Sequence, residues 1–127
     1  MKHAIYLTEA EWRAMEPLWE QSPRTAMELV RDLEKRAGWA KSTVMTMLSR
    51  MEAKGLLLCQ QQGRTRFYSP CLDRTQAALK QTQRFLDRVY HGSVSLMVNA
   101  LLDQDSISSQ QIQQLRDLLD KAEEAEK

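Results

Sequence analysis

The chain has 127 residues, of which 28% are charged and 43% hydrophobic, with a formal net charge of +1 and two cysteines. That length suits one small domain, or a compact domain of about 70 residues carrying an assembly element. No apolar run approaches the roughly 20 residues that span a bilayer, and Met1-Lys2-His3-Ala4 opens no secretory leader, so neither a membrane span nor direct membrane binding is expected. Cys59 and Cys71 have no metal-ligand spacing and cannot form a disulfide framework, which points to a reduced, cytoplasmic chain without metal or cofactor.

The near-neutral total hides an asymmetry. Between Lys35 and Arg74 stand eight basic residues, Lys35, Arg36, Lys41, Arg50, Lys54, Arg64, Arg66 and Arg74, against Glu52 and Asp73 alone, a local charge of +6. From Thr75 onward the balance is −2. A basic middle between acidic flanks suggests one surface turned to a polyanion, with a solvated mixed-charge face as the plainer alternative.

Taken in order, Thr8-Glu9-Ala10-Glu11 reads as a capping box opening a first helix, with Trp12, Met15, Leu18 and Trp19 along one stripe. Pro23 interrupts the chain. Thr25-Ala26-Met27-Glu28 opens a second helix, which turns Leu29, Val30 and Leu33 inward and stops at Gly38. A third begins near Lys41; at 100° per residue Val44, Met47, Leu48 and Met51 share its core arc. Opposite them lie Ser42, Met45, Thr46, Ser49 and Ala53, with Arg50 on the flank. Lys54-Gly55 reads as a cationic last turn followed by a left-handed glycine.

The period then changes to two. Leu56–Gln60 and Thr65–Ser69 are expected as the strands of a hairpin whose turn is Gln61-Gln62-Gly63-Arg64, ended by Pro70. Asp73 can cap a helix to about Tyr90, Gly92-Ser93 breaks and restarts the chain, and Val94–Leu102 is a short, strongly apolar helix. Ser108, with Gln111 at N3, caps a last helix bearing Ile112, Leu115, Leu118 and Leu119.

Three helices and a hairpin, with the basic excess on the third helix and hairpin, match a winged helix-turn-helix plan, so the fold expected is mainly α with a small β-hairpin. The B-DNA major groove admits one α-helix, whose outer face must then be short and polar. Ser42, Thr43, Thr46 and Ser49 supply hydrogen-bonding groups, Met45 can meet a thymine methyl, and Lys41 and Arg50 can grip phosphates. Arg64 and Arg66 fall where a wing would meet the backbone or minor groove. A protein-binding adaptor on the same fold stays open as an alternative.

Residues 1–72 are therefore assigned to a winged-helix DNA-binding domain and 73–127 to a helical dimerisation region. The second segment is too short for an economical core, and its middle helix is apolar nearly all round. Burial in a two-fold dimer is expected through Phe85, Leu86, Val89, Tyr90, Val94, Met97, Val98, Leu101, Leu102, Leu115, Leu118 and Leu119. Packing back on the first domain is the alternative.

Several segments together resemble the penicillinase-repressor family, which includes β-lactamase, methicillin-resistance and copper-transport repressors. They are Leu7-Thr8-Glu9-Ala10-Glu11-Trp12, the run from Ser42 to Met51, Lys54-Gly55, Gly63-Arg64, Phe85-Leu86, Tyr90-His91-Gly92-Ser93 and Gln114-Leu115-Arg116-Asp117-Leu118-Leu119. The resemblance implies a homodimeric repressor on palindromic double-stranded operator DNA. In the β-lactam branch it implies a membrane sensor-protease as partner, with cleavage after an Asn that precedes Phe; the matching position is Asn99, followed here by Ala100. The copper branch binds metal through a cysteine cluster, and no cysteine follows Cys71. Ala40 replaces a capping Ser common in the family, and Met45 stands where basic side chains are common.

The remaining residues suggest no chemistry of their own. Met47 and Met51 are expected in the core; Trp12, Trp19 and Trp39 in the core or at a domain boundary; His3 and His91 are isolated. Cys59 falls on the first strand of the hairpin and Cys71 just past the second, close enough to be spatial neighbours, which would allow redox sensing. No Ser or Cys has a His and carboxylate beside it, and no Gly-rich phosphate loop occurs, so an enzyme is not expected.

Overall fold

The computed structural model describes residues 6–126. The readings made for residues 1–4, His3 among them, lie outside the described residues. The elements run α1 (Glu9–Glu20), β1 (Arg24–Thr25), α2 (Ala26–Ala37), α3 (Lys41–Ala53), β2 (Leu57–Gln62), β3 (Thr65–Pro70), α4 (Arg74–Tyr90), α5 (Val94–Asp103) and α6 (Ser109–Ala125). The fold is mainly α with a small antiparallel sheet. Two units are distinguished by their internal contacts, one ending at Thr82 and one beginning at Gln83.

In the first unit both expected capping boxes close. Thr8 Oγ1 accepts from the Glu11 amide at 3.1 Å, and Glu11 Oε1 accepts from the Thr8 amide at 2.9 Å. Thr25 and Glu28 repeat the exchange at 3.2 and 2.8 Å. Each box satisfies two otherwise orphaned helix amides, which fixes where α1 and α2 start. Their apolar stripes then meet. Ala14, Met15 and Leu18 of α1, Leu29, Val30 and Leu33 of α2, and Val44, Leu48 and Met51 of α3 form one buried core with Leu56, Leu57, Tyr68 and Ala77.

Four expectations need correction here. Met47 is half-buried and packs against the core from its edge rather than lying within it. Arg24 and Thr25 form a further strand, paired with Tyr68 and Phe67, so the sheet has three strands in the order β1-β3-β2. Gln61 and Gln62 are in β2, opposite Arg66 and Thr65, which leaves a two-residue turn at Gly63-Arg64. Gly63 has φ +64°, at the position that a type II′ hairpin turn reserves for glycine. Pro70 is itself the last residue of β3, opposite Leu57.

The second unit contains well-capped helices with little to bury them. Ser93 accepts from the Leu96 amide at 3.1 Å, and Ser108 and Gln111 form a third capping box. Phe85 and Tyr90 meet edge to face at 5.9 Å. No described residue of α5 or α6 is buried, although these two helices carry Val94, Leu96, Leu101, Leu102, Leu115, Leu118 and Leu119.

Candidate nucleic-acid interface

The position of α3 is set from both of its ends. After Gly38, whose φ of +69° ends α2, only Trp39 and Ala40 separate the two helices. At the other end the Leu56 amide donates to Met51 at 2.9 Å and the Gly55 amide to Glu52 at 3.0 Å, the paired bonds of a Schellman turn. Gly55 has φ +83°, which lets the chain leave α3 at once for β2. The helix is also tied to α1: Lys54 Nζ donates to both oxygens of Glu11, at 2.9 and 2.7 Å. Burial works against the charged form of Glu11, but Lys54 and the Thr8 amide outweigh it and hold its carboxyl below the ordinary value.

With Val44, Leu48 and Met51 inward, α3 exposes Lys41, Ser42, Thr43, Met45, Thr46, Ser49 and Arg50. Ser42, Thr43, Thr46, Met47 and Arg50 line a shallow hollow of about 260 Å³ on its flank. Its amino terminus differs from those of α1, α2 and α6. Ala40 provides no side-chain cap, the first turn has no acid, and Lys41 places a cation against the positive end of the helix dipole. The helix would be more stable with Ser and Glu there. What it offers instead is a set of first-turn amides beside a cation, an arrangement suited to a phosphate oxygen.

Folding divides the basic excess into two groups. Arg36 pairs with Glu20 and Asp32, Lys54 with Glu11, Arg66 with Glu52 at 3.6 Å and Arg74 with Glu16 at 3.0 Å. Arg74 also lies 5.5 and 5.9 Å from the ring centroids of Trp12 and Trp19, and Trp19 Nε1 donates to the Leu72 carbonyl at 3.0 Å. These cations are engaged by carboxylates of the unit itself. Lys35, Lys41, Arg50 and Arg64 make no ion pair among the described residues. Three of the four are on α3 or at the wing tip, so the unpaired cations of the Lys35–Arg74 stretch are concentrated there.

The two wing arginines also part company. Arg64 is exposed in the turn, whereas Arg66 is folded back: its Nε donates to Cys59 Sγ at 3.1 Å and its guanidinium is 6.0 Å from the Tyr68 ring. Sequence reasoning had no signal for this difference, since the contacts depend on the register that sets Gln61 against Arg66 and Cys59 against Tyr68. The same register separates the cysteines. Cys71 donates its amide to Leu56, three residues or roughly 10 Å along the strand from Cys59. They are not neighbours, and both thiols are free.

In the second unit Phe85, Val89, Val94, Leu101, Leu102, Leu115, Leu118 and Leu119 are exposed, while Leu86, Tyr90, Met97 and Val98 are half-buried. Asn99 is exposed and Ala100 half-buried, both inside α5.

A three-helix core with a β-hairpin wing, presenting its third helix outward, defines a winged helix-turn-helix protein. The penicillinase repressor family model matches residues 7–121, and the chain belongs to that family, whose members are transcriptional regulators rather than enzymes. It is 31% identical over 120 residues to the penicillinase repressor of Bacillus licheniformis, covering 94% of each chain. It is 22% identical over 115 residues to the methicillin resistance regulatory protein MecI of Staphylococcus aureus (strain N315), covering 91% of this chain and 94% of that one. Among solved structures, the DNA-binding domain of the repressor BlaI aligns at 32% identity with a TM-score of 0.53, covering 59% of this chain and 92% of that one. The Bacillus licheniformis BlaI monomer in complex with the blaP half-operator aligns at 32% with a TM-score of 0.52 and the same coverage.

Proposed function

We propose that the chain is a cytoplasmic, sequence-specific DNA-binding repressor that acts as a homodimer on a palindromic operator. The observation that carries this is the exposed, uncapped α3, whose polar outer face bears Lys41, Ser42, Met45, Thr46, Ser49 and Arg50, with unpaired cations there and at the wing tip. The half-operator complex of a structurally similar repressor supports it. Ser42, Thr46, Ser49 and Met45 read base edges, while Lys41, Thr43, Arg50 and, on the wing, Arg64 set the grip and register on the backbone, with Arg66 behind Arg64 in the same surface. DNA reading belongs to residues 1–72 and assembly to 73–127. The exposed apolar residues of α5 and α6 are what a second copy would cover.

The test is selection from a randomised DNA pool, followed by footprinting of the enriched duplex. A two-fold symmetric footprint is expected, and Thr46→Ala should reduce discrimination at one base pair per half-site by about 1–3 kcal/mol. If no duplex binds more tightly than random DNA, and a protein partner is instead retained at high salt, the chain is an adaptor. A membrane sensor-protease, if one serves this repressor, would cut between Asn99 and Ala100. That bond lies within α5, so the helix must open first. Incubation with a co-encoded protease, followed by mass measurement of the fragments, decides it.

A further inference from the structure

Arg66 lies on the wing, and its side chain is engaged by groups of the hairpin and of α3. Its guanidinium meets three groups from three elements: Cys59 Sγ on the neighbouring strand at 3.1 Å, the ring of buried Tyr68 on its own strand at 6.0 Å, and Glu52 near the end of α3 at 3.6 Å. Cys59 and Tyr68 are opposite each other in the ladder and two residue pairs nearer the core than Arg66 and Gln61, on the same face of the hairpin. The side chain therefore runs along the core-facing side of the hairpin rather than out from its tip. Glu52 is the one acid of α3, and only Arg66 is paired with it among the described residues.

We propose that Arg66 is a positioning residue, a latch that holds the wing against the third helix so that both meet DNA as one surface. The proposal rests on the DNA-reading function above. The hairpin is anchored at its base by Leu57 and Tyr68, but its outer half, from Gln60 through Arg66, is exposed on every residue. Without a side-chain tie that half is free to move, and ordering it would count against binding. Arg66 supplies the tie and neutralises an acid that would otherwise repel phosphate. Arg64, with no such contacts, remains the wing cation that reaches outward.

The sign of one substitution separates a latch from a direct phosphate contact. If Arg66 grips phosphate, Glu52→Gln removes a competing carboxylate and tightens binding. If Arg66 is a latch, Glu52→Gln frees the wing and weakens binding. The experiment uses the full chain, a duplex selected by the wild type from a randomised pool, and amide hydrogen exchange measured without DNA. Expected are faster exchange in Gln60–Arg66 for both Glu52→Gln and Arg66→Ala, and binding weakened by about threefold to tenfold in each. The double variant should bind no worse than Arg66→Ala alone, and Arg66→Lys should fall between it and wild type. Tighter binding by Glu52→Gln overturns the latch, as does unchanged wing exchange in both variants. So does a salt dependence for Arg66→Ala flattened by about one phosphate contact. Faster exchange in a chain that prefers no DNA sequence would instead overturn the DNA-reading function and leave the wing contact standing.

Discussion

At the residue scale the interface shows where stability has yielded to another demand. Thr8, Thr25 and Ser108 all cap their helices, and Ala40 does not. Ala40 already has the extended backbone of a cap, φ −71° and ψ 157°, so Ala40→Ser needs no rearrangement. Thermal denaturation of that variant should show a gain of about 0.5–1 kcal/mol. Operator affinity should not rise with it, because the new hydroxyl competes for amides that a phosphate would use. Glu11 makes the opposite bargain, since its buried carboxylate caps α1 and also holds Lys54 at the end of α3. Its folded pKa is below the ordinary 4.5, so it contributes stability above that value and loses the contribution as pH falls toward the folded pKa. Glu11→Gln should therefore be less stable than wild type at neutral pH, by about 1 kcal/mol or more. The two stability curves should converge on acidification below pH 4.5, as chemical denaturation across pH will show.

At the element scale α3 was the most legible part of the chain and the wing the least. The helical period located Val44, Leu48 and Met51 correctly, because a buried arc leaves a mark every three or four residues. It put Met47 in the core itself, whereas the residue packs half-buried against it at the edge of that arc, where the angle alone cannot say how far the core extends. A two-residue strand such as β1 leaves no periodic mark at all. The wing tip gives a direct prediction. Arg64 is unpaired and exposed at a tight turn, so Arg64→Ala should weaken binding to all duplexes alike and lower the slope of log affinity against log salt by about 0.9. Titrations at several salt concentrations check this, and a loss confined to one sequence would assign Arg64 to base reading instead.

At the scale of the whole molecule the two units differ in kind. The first encloses its own core, whereas α5 and α6 bury none of their residues, with Leu118 62% and Leu119 67% exposed. Exposed apolar side chains in that number favour a second surface over water, each contributing about 25 cal/mol per Å² covered. Sedimentation at micromolar concentration should give a dimer. Replacing both Leu118 and Leu119 with Asp should shift it toward monomer, with far weaker binding to a palindrome than to be expected from two half-sites held together. A wild-type monomer at that concentration would remove assembly through this face.

The sequence by itself determined the elements that are specified locally: the capping boxes, the glycine stops at Gly38 and Gly55, the presence of a hairpin though not its register, and the outward face of α3. Each depends on residues within a turn or two of one another, so the chain order holds the information. The tertiary structure decided which charges are free. Eight cations in a stretch of +6 look alike when counted, yet four of them meet Glu11, Glu16, Glu20, Asp32 and Glu52 only after folding. An ion pair such as Lys54–Glu11 joins residues 43 positions apart, and Arg66 turns back to Glu52 only because of strand register. Coulomb attraction acts over distance in space, and only the fold sets that distance.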